Sequence, residues 1–547
     1  MKTHWLVDKI GLNKVFVRFF AVWYVICITS VYSLLNHTIP TNPSQIIYLI
    51  CQPLCYALLL ASFMYLLGKW RILFLPFFVY VYLIELTEHW LLVKFRTYFT
   101  GDLLLMAMNS SWEEIRVFVS DSFSWSLFFV LLVVAIVGYF IARVLFAGKI
   151  GTGLRTRMLI FGICWFPFVA FNCLLLNPRN IPMQMMFVFV VTDTIKSLRI
   201  NGEIYAACKR PNPIGDVHLS SVASGYPVGV IMIGESMTRN NLGIYGYARN
   251  TTPEMKDIKD GELFVFTDLL GAWSNTQGAL RHLLTEFELG GGTAECALPY
   301  VCRQAGYECA LLSNQNHWGA YDTIDTLLFS ACEDATWIRE LKTGHKLYDI
   351  DMVPMVKDKI ISCTNRPFLC FMHLAGSHNP FNVYPKEFNV FKTDFVDECN
   401  DHLTGSKRAS YNDYDNTIRH ADATFGGVVR VLKETRRPAF VILVSDHGES
   451  PRAGKWRVGT HKDLWEIPMV VWVSEEYKKA YPEAVKNLRG AVGQKLQQDQ
   501  LFVGMLSLAQ IVGYSRYSEE RDFLSSKFKA RKIRMVQNGK VPYEGDK

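Results

Sequence analysis

Charge is scarce in this chain. Asp, Glu, Lys and Arg make up 20% of its 547 residues and hydrophobic residues 50%, against about a quarter charged in a soluble globular domain. A purely soluble protein is therefore not the expectation. Short repeats and low-complexity tracts are absent, so no solenoid or composition-driven segment organises the chain. No C-x-x-C pair occurs among the 13 cysteines, which argues against a cysteine-built zinc site. No small-residue cleavage site stands after the first apolar window, so that window does not read as a removable signal.

The apolar excess falls in the first third. Five windows there are long enough to cross a bilayer: Val15–Leu35, Ile46–Leu67, Ile72–Val93, Phe123–Phe146 and Met158–Leu176. Lys2, Lys9, Lys14 and Arg18 stand at the start, Lys69 and Arg71 in the second loop, and Lys149, Arg155 and Arg157 in the fourth, whereas the first loop, 36–45, has no Lys or Arg. Positive residues resist translocation, so an inside amino terminus and an odd number of spans put everything after Leu176 on the outer face. The net charge of +7 partly reflects this cytoplasmic collar and gives no reason to expect nucleic acid as a partner.

Eight cysteines, Cys208, Cys296, Cys302, Cys309, Cys332, Cys363, Cys370 and Cys399, lie outside the windows. An even number there suggests disulfides in an oxidising space. Within the third window Glu85, Glu88 and His89 share one helical face, a costly placement that points to function as readily as to helix packing. In the long third loop Asn109 and Glu113 stand one helical turn apart. They suit a cationic headgroup at the membrane surface, and a capped, solvated helix start explains the same residues.

A connector, 177–226, carries amphipathic stretches and the breaks Pro211 and Pro213, and reads as lying along the membrane surface. From Pro227 short β-rich runs alternate with helical segments: Val228–Ile233, Leu263–Phe266, Glu308–Leu312, Phe368–Leu374, Phe440–Val444 and Met469–Val473. The alternation predicts a wound α/β sheet with its ligands at the strands' carboxyl ends. The fold class is thus a five-helix transmembrane domain, 1–176, a surface linker, 177–226, and an α/β domain, 227–547.

The second part is organised around Ser445-Asp446-His447-Gly448-Glu449. An acid and an imidazole at a strand end suit a metal, while a turn with a capped helix behind it accounts for the same residues. Glu235 leaves the first strand as Asp446 leaves a later one. Ser274 and Thr276 precede a helical run, where a hydroxyl meets the positive end of the helix dipole and serves a phosphate or simply caps the helix. His378 follows another strand and His461 stands beyond Glu449. A lone histidine is commonly a satisfied polar residue, and it is recurrence at successive strand ends that points to a site.

These residues resemble a known family. Gly234-Glu235-Ser236, the stretch Tyr245-Gly246-Tyr247-Ala248-Arg249-Asn250-Thr251-Thr252-Pro253, then Tyr411-Asn412-Asp413-Tyr414-Asp415-Asn416 and Ser445-Asp446-His447-Gly448-Glu449 together are similar to the inner-membrane phosphoethanolamine transferases that decorate lipopolysaccharide, among them the colistin-resistance enzymes. The second part looks like an alkaline phosphatase or sulfatase superfamily domain, and the tyrosine-rich stretches look closest to the branch that modifies core heptose. The resemblance implies a multi-pass protein of the bacterial inner membrane with a periplasmic catalytic domain. It implies zinc held by Glu235, Thr276, Asp446 and His447, with Thr276 also the nucleophile. His378 and His461 would stand near the transferred group, Glu449 would be a further acidic site residue, and Asn109 and Glu113 would contact the headgroup. The donor would be phosphatidylethanolamine, and the acceptor lipopolysaccharide at a lipid A phosphate or core heptose.

The sequence departs from that family in the residues before Thr276, which keeps Ser274 as a rival nucleophile, and in its cysteine pattern. A formylglycine sulfatase needs Cys or Ser followed by x-Pro-x-Arg, which Ser274-Asn275-Thr276-Gln277-Gly278 lacks. A periplasmic glucan as acceptor, a glycerol-phosphate transferase of the same superfamily, and a sensor with a dead enzyme domain are the competing readings.

Overall fold

The computed structural model of the protein describes residue 195 and residues 214–220, 225–289, 296–315, 327–451, 461–536, 539 and 541–546. From 214 onward these belong to the second of two compact units, Leu198–Lys547. The five apolar windows, Glu85, Glu88, His89, Asn109, Glu113, Cys208 and most of the connector lie outside the described residues. Among the described residues no helix is long and apolar enough to cross a membrane.

Every run expected to be a strand forms one. They are β1 (Val228–Gly234), β2 (Leu263–Phe266), β3 (Glu308–Ser313), β5 (Phe368–His373), β6 (Ala439–Ser445) and β7 (Met469–Val473). The sequence reading missed β4 (Asp334–Trp337), a short polar edge strand with no apolar run to betray it. The seven make one sheet in the order β2-β7-β6-β1-β5-β3-β4. Only β7 runs against the rest, pairing antiparallel with β2 and β6. The central strand β1 pairs in parallel with β5 on one side and β6 on the other, so the chain's path reverses beside it, where a crevice opens at the carboxyl ends.

Alternation along the strands supplies two cores. Ile231, Ile233, Leu369, Phe371, Ile442 and Val444 face one layer, with α1 (Thr276–Leu284), α2 (Leu298–Gln304) and α5 (Leu501–Leu508). Val230, Met232, Cys370, Met372, Val441 and Leu443 face the other, with α3 (Met352–Ser362) and α4 (Gly405–Thr435). Both faces are covered, so β1 is apolar throughout and fully buried, each large side chain contributing about 1.5–3 kcal/mol. In α4 the residues Tyr414, Ile418, Ala421, Phe425 and Val428 fall at three- and four-residue spacing and dock on the sheet. The helix ends at Arg436, whose φ of 52° is left-handed, and Pro438 two residues on bars its continuation.

The expected disulfides do not form among the described residues. Cys296, Cys302, Cys309, Cys332, Cys363, Cys370 and Cys399 are in no disulfide, and all but Cys399 are buried. Cys309 and Cys370 show why proximity in the sheet is not enough: they sit on adjacent paired strands but belong to opposite cores. Burial pushes both thiols up, Cys370 to about 12. They behave as small apolar side chains.

Candidate metal centre

Parallel pairing of β1 with β6 runs in register to Gly234 opposite Ser445. The next residue on one strand is Glu235, and on the other Asp446 followed by His447. The two turns are stitched together, since Asp446 N donates to Gly234 O at 2.9 Å and Ser236 N donates to Asp446 Oδ1 at 2.9 Å. Ser236 takes a φ of 60° to do this, a left-handed conformation that a non-glycine residue holds only when its surroundings fix it. Tyr414 from α4 is that fixing group, accepting from Thr238 N at 2.9 Å and donating to Ser236 O at 2.8 Å.

Glu235, Asp446 and His447 are all buried, and a ligand atom of each lies within 4.8 Å of the others. His447 Nε2 is 3.4 Å from Glu235 Oε1 and 3.3 Å from Asp446 Oδ2. Its Nδ1 lies 2.9 Å from the carbonyl of Gly448. A proton on Nδ1 makes that bond and leaves Nε2 as a bare donor atom toward the carboxylates. Burial first, and then the neighbouring Glu235 charge, push Asp446 up to about 7. Its Oδ2 has no hydrogen-bond donor. Two carboxylates and an imidazole in this state fit a divalent cation such as zinc, whose charge would offset both the burial and the mutual repulsion.

Thr276 opens α1, and the cap before it is Asn275, whose Oδ1 accepts from Gly278 N at 2.9 Å. That corrects the reading of Ser274 or Thr276 as the cap and leaves the Thr276 hydroxyl for other work. Its Oγ1 donates to Glu235 Oε2 at 3.0 Å. Gln315 Nε2 donates to Leu374 O at 2.6 Å and reaches the same Glu235 oxygen at 3.4 Å.

The loop after β5 packs directly on Glu235. Ser377 N donates to Glu235 O at 2.9 Å, and at Gly376, with φ +50°, a Cβ would stand 2.9 Å from the Glu235 backbone N and O. Buried Asp349 holds this loop by accepting from Ala375 N and Gly376 N, both at 2.9 Å. His378 follows at once, half-buried, its Nδ1 2.6 Å from Asn379 O. The turn that starts at His461 packs on Gly448, where a Cβ would lie 1.9 Å from Asp463 O. The His461 ring lies 3.1 Å from Asp463 Oδ2, and Asp463 is fixed by Asn240 Nδ2 at 2.7 Å. Glu449 is buried beside the metal cluster's turn, with Oε1 accepting from Ser450 N at 2.9 Å; it is not one of the three clustered ligands. The structure thus brings Glu235, Thr276, Asp446 and His447 together and puts His378 and His461 on turns that pack against them.

Sequence reasoning saw Tyr414 only within a family motif and gave no role to Gln315, two residues beyond β3, and it passed over Asp349 and Gln498, neither of which follows an apolar run. It also passed over His373, the last residue of β5. Burial pushes this imidazole down to about 4, while Glu235 and Asp349 pull it the other way.

A family model described as sulfatase matches residues 227–511. Phosphoethanolamine transferase EptC of Escherichia coli (strain K12) is 25% identical over 314 residues, 55% of this chain and 53% of that protein. Phosphoethanolamine transferase EptA of Helicobacter pylori is 29% identical over 269 residues, 46% of this chain and 49% of the relative. The chain spans about half the length of the curated relatives it matches. The integral membrane protein lipooligosaccharide phosphoethanolamine transferase A from Neisseria meningitidis shares the fold with a TM-score of 0.66 at 18% identity, over 92% of this chain and 98% of that one. The C-terminal periplasmic domain of EptC from Escherichia coli, in a complex with Zn, matches with a TM-score of 0.55 at 23% identity, over 61% of this chain and 96% of that one.

Proposed function

This chain belongs to the sulfatase family, and from that premise we propose that it is a zinc-dependent phosphoethanolamine transferase, moving the group from phosphatidylethanolamine to lipopolysaccharide. The observation that carries the reading is the meeting of Glu235, Asp446 and His447 with a threonine hydroxyl 3.0 Å from Glu235. The named relatives are phosphoethanolamine transferases, and the lack of a formylglycine motif separates this site from sulfate-ester hydrolysis. In this reading residues 1–176 are five membrane spans, 177–226 a surface linker and 227–547 the periplasmic catalytic domain. Asn109 and Glu113 contact the donor headgroup.

A zinc ion, when bound by Glu235, Asp446, His447 and Thr276, lowers the pKa of the threonine hydroxyl and polarises a phosphoryl oxygen. Thr276 Oγ1 forms a bond to phosphorus while its proton passes to Glu235 Oε2, which already accepts it. The bond from phosphorus to the glycerol oxygen breaks, and diacylglycerol leaves after that oxygen takes a proton from His378 or His461. An acceptor hydroxyl or phosphate oxygen then bonds to phosphorus, a hydroxyl giving its proton back to that histidine, while the bond from phosphorus to Thr276 Oγ1 breaks and the threonine recovers its proton from Glu235 Oε2. Glu449 shapes the acidic wall beside His447.

Mass spectrometry of the protein incubated with phosphatidylethanolamine should find one phosphoethanolamine on Thr276, and none in Thr276→Ala. An adduct that survives this substitution rules out the nucleophile. Mass analysis of lipid A, core oligosaccharide and glucans from cells with and without the protein identifies the acceptor; a change confined to glucans, or a glycerol phosphate in place of phosphoethanolamine, refutes the substrate assignment.

A further inference from the structure

The sheet register fixes Glu235 against Asp446, but nothing in that register fixes Thr276, which stands on a helix outside the sheet. Its approach segment is held by a different stretch of chain. Leu269–Leu270 pairs in parallel with Leu496–Gln497, and the next residue, Gln498, is buried with no solvent exposure. Its Oε1 accepts from Ala272 N at 3.0 Å, four residues before Thr276. Its Nε2 donates to Ser445 O at 3.0 Å and to Asp446 O at 2.6 Å. One carboxamide therefore joins the path into the nucleophile to the turn that carries two metal-cluster residues. Gln497 points the other way, donating to Met535 O and accepting from Met535 N at 3.2 Å, as strand alternation requires.

We propose that Gln498 is a positioning residue that sets the reach of the Thr276 hydroxyl to the Glu235–Asp446–His447 cluster. The proposal rests on the reading of Thr276 as the nucleophile. The amide is suited to the task because a single rigid plane offers an acceptor on one side and two donors on the other. The Asp446 carboxylate has its own restraints, Ser236 N at 2.9 Å and His447 N at 2.6 Å, so the metal ligands keep their places without Gln498. The nucleophile's approach segment does not keep its tie to their turn.

Two variants separate these roles. Gln498→Met removes all three hydrogen bonds at similar volume, and Gln498→Glu keeps an acceptor for Ala272 N but sets oxygen against the two carbonyls. In full-length protein with phosphatidylethanolamine, either variant should form the Thr276 adduct about 100-fold more slowly than wild type, the scale of a misplaced reacting group. Zinc content should be unchanged, and donor KM should stay within about threefold. Loss of zinc together with adduct, unfolding of both variants, or an unchanged rate overturns the proposal.

A second readout needs no substrate. Thr276→Cys loaded with cobalt should show a thiolate-to-cobalt absorption band, which adding Gln498→Met should abolish while the ligand-field bands of bound cobalt remain. A band of equal strength in both proteins overturns the positioning role even where wild type forms its adduct. Wild type without an adduct, but with the cobalt band lost on Gln498→Met, refutes the reaction and leaves the positioning role standing. Absence of cobalt binding with Gln498 intact overturns both.

Discussion

Two buried polar clusters among the described residues solve opposite electrostatic problems. At the ends of β1 and β6, Glu235 and Asp446 face each other with one imidazole between them, and Asp446 rises to about 7. Between the loop after β1 and α4, Arg249 pairs with Asp415 at 2.8 Å and grips both oxygens of Asp397 at 2.7 and 2.8 Å. Tyr247 donates to Asp415 at 2.7 Å, Asn241 donates to its other oxygen at 2.7 Å, and Arg249 lies over the rings of Phe391, Phe395 and Tyr411. This second cluster brings its own cation, and both oxygens of Asp415 and of Asp397 accept hydrogen bonds. The first is short of positive charge. A cluster closed on itself is scaffold, and a cluster of like charge held rigidly in a low-dielectric place is built for something that arrives from outside.

That contrast is open to direct attack. The largest expected effect is from Asp446→Ala, which should strip zinc and lower transfer by on the order of 10³-fold or more, read by metal analysis and adduct mass. Arg249→Met should cost about 3 kcal/mol in urea unfolding by stranding Asp415, with metal content per folded molecule unchanged. Asp422 tests the same logic through pH. It accepts from Glu254 N at 2.7 Å and Met255 N at 3.0 Å, yet burial lifts it from its ordinary 3.8 to about 7. A raised carboxyl means the folded state holds the proton more tightly, so its contribution is fully present below about pH 4 and is lost as pH rises through about 7. Asp422→Asn should flatten the stability curve across that window by about 4 kcal/mol. The smallest effect should come from Asp446→Asn in chelator-treated protein, a gain of about 1 kcal/mol from removing one of two like charges. The same chelated protein should be weakened by any loss at Arg249. If Asp446→Asn is destabilising without metal, the cluster is a scaffold after all.

The sheet was legible because both its faces are covered, so its strands appear as apolar runs whose ends moved by only a residue or so. The metal cluster was half legible for the same reason: Glu235, Asp446 and His447 come immediately after such runs. What failed to show were partners set by the packing of segments far apart in the chain. Tyr247 and Tyr411 touch at 2.8 Å across 164 residues. Each motif was visible as a family signature, but their joint role as a brace around the Arg249 guanidinium was not. Gln498 sits in a polar run that reads like a surface turn, and only the pairing of Leu496–Gln497 with Leu269–Leu270 turns it inward. The cysteine count misled because parity says nothing about which face of a sheet a thiol occupies.

The in-register meeting of β1 and β6 also governs when the metal cluster can exist. Glu235 leaves the ribosome more than two hundred residues before Asp446 and His447, and its turn does not meet theirs until that distant parallel pairing has formed, a slow event in folding. A chain arrested before β6 can offer a cation one isolated carboxylate, which holds it weakly. Under the proposed zinc chemistry, tight metal capture would therefore be a certificate of completion, issued only to molecules whose central strand has found both neighbours.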